Sequence, residues 1–387
     1  YEIEMSENYE RSCKIRAILL NKHQNEYKHI KKKIREILKK SSDQKSKEDE
    51  MILKQYKKLV NLIKSENRYL DLKKQREIEI EDDPETLQIK CLELTELIKK
   101  SKNIVIYTGA GISTSASIPD YRGPDGVWTR IKNKLDPQFM NDLVCTEPTY
   151  THMAIVKLLQ RKIIKHIVSQ NCDGLHVRSG VPSRRLSEIH GNIFVEVCKN
   201  CDAHYIRSFD VTEKTAYRKH ETGRNCHRCS PETGKLIDTI VHFGEKGKLR
   251  FPLNWEAASK AAEKSDLIIC IGTSLKVLRK YACLWPKNKK YKLIIINLQW
   301  TPKDSQAAIK INGKSDVVMK NLMVNLELSV DPYRREKDSI LISSTPLRPE
   351  EEHTCNRIKM EQYFEDKIDF NKISMRPSWF GKGIRKK

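Results

Sequence analysis

The sequence predicts an α/β protein built on a doubly wound, parallel sheet, and three observations predict it. Short continuous apolar runs recur through the middle of the chain, at Ile104–Tyr107, His166–Ser169, Leu267–Ile271 and Leu293–Ile296, with helical segments between them. Runs without alternation suit parallel strands buried on both faces, and strand–helix alternation builds such a sheet. Each run ends in a polar or glycine-bearing cluster: Thr108 to Gly111, Gln170 to Asp173, Gly272-Thr273-Ser274 and Asn297-Leu298-Gln299. In doubly wound sheets ligands gather at these carboxyl ends. The third observation is a pair of Cys-x-x-Cys motifs between the second and third runs, which marks a small inserted module.

The chain opens on a stretch with no glycine and no proline before Pro84. Ile30, Ile34, Ile37 and Leu38, then Leu53, Tyr56, Leu59, Val60 and Ile63, recur at helical spacing. Two or three amphipathic helices are expected over residues 1–85, broken near Ser41–Ser46. Basic clusters at Lys31–Arg35 and Lys39-Lys40 read either as a solvated face or as a phosphate-tracking patch. The formal net charge of the 387 residues is +22, which favours polyanionic partners, DNA or RNA first among them. An anionic membrane surface is the alternative, though no membrane partner is expected, and no apolar run approaches the roughly 20 residues of a membrane span.

Glu85 to Lys100 reads as a helix feeding the first strand. That strand runs into Gly109-Ala110-Gly111, where a helix starting at Ser113 is expected to aim its free N–H groups at an anion. The motif alone is weak, because the third glycine of the common dinucleotide fingerprint is missing. Ile118-Pro119-Asp120-Tyr121-Arg122 strengthens it by adding a rigid proline, a carboxylate, an aromatic ring and a guanidinium.

Sixteen residues after Gly174 comes His190, followed by Gly191-Asn192. An imidazole suits a general base near neutral pH. Cys198, Cys201, Cys226 and Cys229 then supply four thiolates for a tetrahedral, structural Zn²⁺ within residues 192–238. His204 and His227 lie nearby as alternative ligands, though each would break the pairing. Ile240-Val-His-Phe-Gly-Glu245 reads as a core strand with a turn. Beyond Asp331-Pro332 apolar periodicity fades, so residues 331–387 are expected to form a loosely ordered basic tail.

From Glu85 to about Leu328 these motifs, in this order, resemble the sirtuins, NAD-dependent protein-lysine deacylases, and within them the class IV branch. Ser117 and Tyr121 stand where most of that family has glycine and phenylalanine, and Thr273 stands for a serine common in the branch. The resemblance implies a catalytic domain over residues 86–330, its large part being 86–191 and 239–330. It implies NAD as co-substrate, lying along Gly109, Ala110, Gly111, Ile118, Pro119, Asp120, Tyr121 and Arg122. Ser115, Trp128, Gly272, Thr273, Ser274, Leu298, Gln299 and Ser315 would complete that pocket. Asn297 would take the adenosine ribose. Gln170, Asn171, Cys172 and Asp173 would hold the nicotinamide riboside, Asn171 and Asp173 acting with the base His190. Val241, His242, Phe243, Gly244 and Glu245 would pair with the substrate peptide. Acyl-lysine proteins, histones especially, are the implied substrates, and a nuclear, chromatin or nucleolar location is expected. The implied products are nicotinamide, free lysine and an acyl-ADP-ribose. A hydride-transfer dehydrogenase, a catalytically weak zinc-containing chromatin binder and a mono-ADP-ribosyltransferase are the competing readings.

Overall fold

The computed structural model describes residues 24–138, 142–287 and 290–365. It divides into two compact units, Tyr1–Arg76 and Glu77–Lys387.

In the first unit residues 24–39 form helix α1, followed by α2 (Lys47–Gln55) and α3 (Lys57–Gln75). The break falls where the serines were expected to put it. Ser46 caps α2 by accepting from Asp49 N, and the Asp49 carboxylate accepts from Ser46 N in return. Ile34, Val60 and Ile63 make the small core that joins these helices. The predicted basic clusters are largely neutralised. Lys31 and Arg35 both pair with Glu66, Lys33 with Glu48 and Lys40 with Asp49.

The second unit opens with α4 (Pro84–Lys100), capped by Asp83, and continues into β1 (Ile104–Thr108). The other strands of the main sheet are β2 (Ile164–Ser169), β3 (Leu186–Glu188), β8 (Leu267–Ile271), β9 (Lys292–Ile296) and β10 (Ile309–Ile311). The short strands β3 and β10 were not foreseen. All pairings are parallel, in the order β10-β9-β8-β1-β2-β3. The order reverses beside β1, and that switch point opens the ligand crevice. Period-two alternation explains the apolar runs. Ile104 and Ile106 face a layer of α4, α6 (Tyr150–Gln160) and α9 (Ser315–Asn325). Val105 and Tyr107 face the opposite layer, with α8 (Trp255–Lys264) and the loop carrying Leu275, Leu278 and Leu284.

The inserted module is a four-stranded antiparallel sheet, β5-β4-β7-β6, of β4 (Val195–Cys198), β5 (His204–Ile206), β6 (Glu221–Asn225) and β7 (Lys235–Asp238). Its ends meet the main domain at one crossing. There Asn192 N donates to Thr239 Oγ1 and that hydroxyl donates to Asn192 O. At Gly191 (φ 92°) any Cβ would lie 2.1 Å from Thr239 O, so the residue after His190 has to be glycine.

The expectation of a loose tail fails for Asp331–Phe364. Asp338 is fully buried and accepts from Arg178 Nε at 2.8 Å. Ile340, Ile358 and Met360 join Ile193 and Phe194 in a common core. The sparse apolar pattern misled because this segment is anchored largely by polar groups. The basic residues 381–387 lie outside the described residues.

Candidate functional site

The cleft at the carboxyl ends of β1, β2, β8 and β9 collects most of the residues that the sequence singled out. Gly109, Ala110 and Gly111 line one wall, with Gly272, Thr273 and Ser274 beside them. No α-helix starts at Ser113; two 3₁₀ turns, Ala110–Ile112 and Thr114–Ala116, take its place, so the expected helix N-terminus is missing. The glycines also serve a need that was not foreseen. A Cβ on Gly109 would sit 2.8 Å from Gly272 O, and one on Gly111 would sit 2.8 Å from Gly272 Cα. Their bareness lets two loops pack backbone to backbone and form the wall.

The charge that an anion needs comes from Arg122 instead. Its guanidinium lines the cleft, Nη1 donates to Ser274 Oγ at 3.4 Å, and it forms no salt bridge with a described residue. Burial lowers its pKa, the mark of a desolvated cation without a close counter-ion. That fits a pyrophosphate. Asp120 is spent on the loop itself: both its oxygens accept from Gly123 N at 2.9 Å. Asn297 lines the cleft, and its Nδ2 donates to Gln299 O at 2.9 Å.

Deeper in, Asn171 Nδ2 donates to Gly109 O (3.2 Å) and Ser113 Oγ (3.3 Å). Ser113 Oγ in turn donates to Asp173 Oδ2 at 2.8 Å. Asp173 therefore lies behind the wall, where burial raises its carboxyl pKa, and it orients Asn171 through Ser113. Cys172 lines the cleft. Ser113 was missed; a buried serine between an amide and a carboxylate carries no sequence signal of its own.

His190 sits between Gln170 and Tyr281. Its Nδ1 is 3.1 Å from the Gln170 carbonyl and its Nε2 is 3.1 Å from the Tyr281 hydroxyl. A carbonyl can only accept, so Nδ1 carries the proton and Nε2 holds the lone pair. Burial raises the Tyr281 pKa, which keeps its hydroxyl a donor. Burial also pushes the His190 pKa down to about 4, so the ring is a neutral acceptor at neutral pH. Tyr281 escaped the sequence reading, although it follows the Gly272-Thr-Ser274 cluster closely.

The opposite rim is Ile240–Glu245, which is extended and turned rather than a strand, so the expected strand does not form. Val241 N donates to His190 O, tying this rim to that residue. Phe243 is 62% exposed and stands edge-on to Trp128 at 5.3 Å, while Tyr121 stacks on Trp128 at 6.3 Å. Not every expected residue reaches the cleft wall. Ser115 donates to Asp316, Ser315 Oγ to Gly111 O, Ile118 packs in the core, and Leu298 O accepts from Ile80 N. Pro119 also stays off the wall.

In the module the four cysteines converge. Cys198 Sγ is 3.9 Å from Cys229 Sγ and Cys201 Sγ is 3.6 Å from Cys226 Sγ. Two thiolates at about 2.3 Å from a tetrahedral Zn²⁺ stand about 3.8 Å apart, so the donor set fits the ion.

A family profile described as the Sir2 family matches residues 137–279. The NAD-dependent protein deacetylase sirtuin-7 of Bos taurus is 47% identical over 368 residues, covering 92% of this chain and 91% of that protein. Its Homo sapiens counterpart is 46% identical over 368 residues with the same coverage. A solved structure of Sir2 with a deacetylated p53 peptide and acetyl ADP ribose is 26% identical with a TM-score of 0.47, covering 61% of this chain and 98% of that one.

Proposed function

The chain belongs to the Sir2 family of NAD-dependent protein deacetylases, and from that premise we propose that it deacylates lysines of nuclear proteins, histones first, in contact with nucleic acid. The observation that carries the chemistry is the fixed tautomer of His190, whose Nε2 lone pair faces the cleft between the glycine wall and the Val241–Glu245 rim. When bound, NAD supplies an electrophilic sugar carbon and nicotinamide as leaving group. Arg122 balances the pyrophosphate charge. Asn171, held by Gly109 and Ser113, presents its Oδ1 toward the nicotinamide end. His190 keeps one proton at Nδ1 and takes another at Nε2, once Tyr281 yields its hydrogen bond. Trp128 and Phe243 form an apolar rim that limits water around an acyl-lysine chain. The Val241–Glu245 segment offers backbone to an extended peptide, which gives affinity with little sequence demand.

The nuclear reading rests on charge. The pairing of Lys31, Lys33, Arg35 and Lys40 leaves Lys32 and Lys39 as the open cations of the predicted clusters, and α3 adds a longer exposed set. There Lys57, Lys58, Lys64, Lys73 and Lys74 are exposed and pair with no described acid. Such a face neutralises phosphates without reading bases. A nuclear, chromatin-associated or nucleolar location follows from that partner class.

The test is mass spectrometry of acetylated histone peptides and nucleosomes incubated with NAD, with and without DNA or RNA. Lysine deacetylation with equal nicotinamide release is expected, and NAD-independent or absent turnover overturns the reading. Replacing Lys57, Lys58 and Lys64 by Glu should weaken nucleic-acid binding and flatten its salt dependence by about 0.9 in log–log slope per lost phosphate contact. An unchanged slope removes α3 from the nucleic-acid surface.

A further inference from the structure

A second set of metal-ligand side chains converges outside the cysteine cluster. His220 Nε2 lies 3.2 Å from Glu245 Oε1, and His242 Nδ1 lies 3.3 Å from Glu245 Oε2. One ligand atom from each of the three residues falls within 4.8 Å of the others. Two N or O ligands about 2.0–2.1 Å from one tetrahedral cation stand about 3.3–3.4 Å apart, so the carboxylate is already spaced for a shared ion with each imidazole.

One feature marks this cluster as incomplete, and a second shows it oriented in advance. His242 is only 7% exposed, yet neither of its ring nitrogens has a hydrogen-bond partner. A buried polar atom left unpaired carries an uncompensated desolvation cost, which a ligand would recover. His220, for its part, is held between two carboxylates: Nδ1 donates to Asp238 Oδ1 at 2.9 Å and Nε2 to Glu245 Oε1 at 3.2 Å, and the Asp238 pairing raises its pKa to about 9. A cation would take the place of the Nε2 proton while Asp238 goes on holding Nδ1–H, the arrangement that orients metal-bound histidines.

We propose that His220 Nε2, His242 Nδ1 and a Glu245 oxygen form a second metal site, distinct from the four cysteines, for a borderline divalent cation such as Zn²⁺. Two imidazole nitrogens select against Ca²⁺ and Mg²⁺, which take oxygen ligands. Three protein ligands leave the fourth position to water or to a substrate group. Occupancy would tie the turn at Phe243-Gly244 to the hairpin that carries Tyr217 and Arg218. Tyr217 OH already donates to Phe243 O at 2.8 Å, and Arg218 Nη2 to Gly244 O at 3.4 Å. The cation would thereby stiffen the substrate rim. This last consequence rests on the peptide reading of Val241–Glu245, whereas the metal site itself does not.

The test uses the full chain carrying its cysteine-held zinc. It is titrated with Zn²⁺ alone by calorimetry and metal analysis, and with Co²⁺ alone by absorption spectroscopy. One further equivalent is expected, with a tetrahedral cobalt spectrum that lacks the thiolate charge-transfer band of the cysteine site. His242→Ala and His220→Gln should each weaken that equivalent by at least the roughly 10–100-fold that losing a mere outer-shell partner costs, while the cysteine-held zinc and the circular dichroism stay unchanged. If His242→Ala fails to fold, the partly exposed His220 carries the test. Saturation at the cysteine equivalent alone, or an extra equivalent that survives both histidine substitutions, overturns the proposal. Once the second equivalent is found, peptide KM measured with and without it tests the rim alone: a lower KM with the cation bound is expected, and an unchanged KM refutes the stiffening.

Discussion

The two sheets of the second unit are held together by opposite means. In the six-stranded sheet, β1 and β8 are buried along their whole length, and their aliphatic side chains fill one layer and then the other. In the four-stranded module the apolar centre shrinks to Tyr205, Leu236 and two of the cysteines. Its other buried centre is ionic. Glu196 Oε1 accepts from Arg207 Nε at 2.6 Å and Oε2 from Arg224 Nε at 2.8 Å, with all three side chains fully buried. The tail completes that cluster, since Arg207 donates to the carbonyls of Thr345 and Pro346, and Arg224 to Thr354 Oγ1. A sheet too small to bury enough hydrocarbon needs a metal and a buried charge network instead.

The comparison breaks most sharply at the metal. Cys226→Ser should release zinc and unfold the module, because zinc held by such cysteine-rich sites carries about 10–16 kcal/mol of folding free energy in peptides. Metal content and thermal melting read this, and a zinc-free variant that melts normally refutes it. Glu196→Gln comes next. It strands two buried guanidinium groups and should cost about 3–5 kcal/mol in urea unfolding, whereas Ile269→Val in the sheet should cost about 0.5–1.5 kcal/mol. Equal costs would mean that the two sheets are held alike. His190→Gln should leave both sheets standing yet lower turnover about 10²–10⁴-fold. A variant with full activity removes His190 as the base.

Acidity acts on the large sheet. Burial pushes the pKa values of His166 and His190 down to about 4 and that of His176 to about 3. The unfolded chain binds those protons first, so this share of stability is present above the ordinary histidine value of about 6.5 and is lost as pH falls toward about 4. Denaturation midpoints between those limits measure it. Activity as kcat/KM should persist below pH 6.5 for the same reason, since His190 Nε2 stays unprotonated. The smallest effect is at Ser117, whose φ of 63° is left-handed. Ser117→Gly should stabilise the loop by up to about 1 kcal/mol, read as a small rise in melting temperature.

The large sheet was legible because its strands are buried on both faces and write unbroken apolar runs. The cysteine spacing was legible because four thiolates leave few other uses. The tail was not, because Asp338 and Thr354 secure it through buried arginines far away in sequence, and no local periodicity encodes such a partner. The same limit hid Tyr281 and Ser113. Each acts on a residue from another strand end, so its role exists only after the sheet has assembled. The helix expected at Ser113 failed for a local reason: Ser117 adopts the left-handed conformation and closes a 3₁₀ turn.

The register of β1 also bears on how the chain is made. Its neighbours are β2 on one side and β8 on the other, and Ile104 pairs with Leu267 across the whole inserted module. During synthesis β1 therefore leaves the ribosome long before its second partner, with one hydrogen-bonding edge open. The cysteines and the Arg207–Glu196–Arg224 network are complete, apart from their contacts with the tail, before β8 emerges. Pairings this distant in sequence are slow to close. Metal capture by the nascent module can thus precede formation of the cleft, so that the module is already folded when β8 arrives to close that edge.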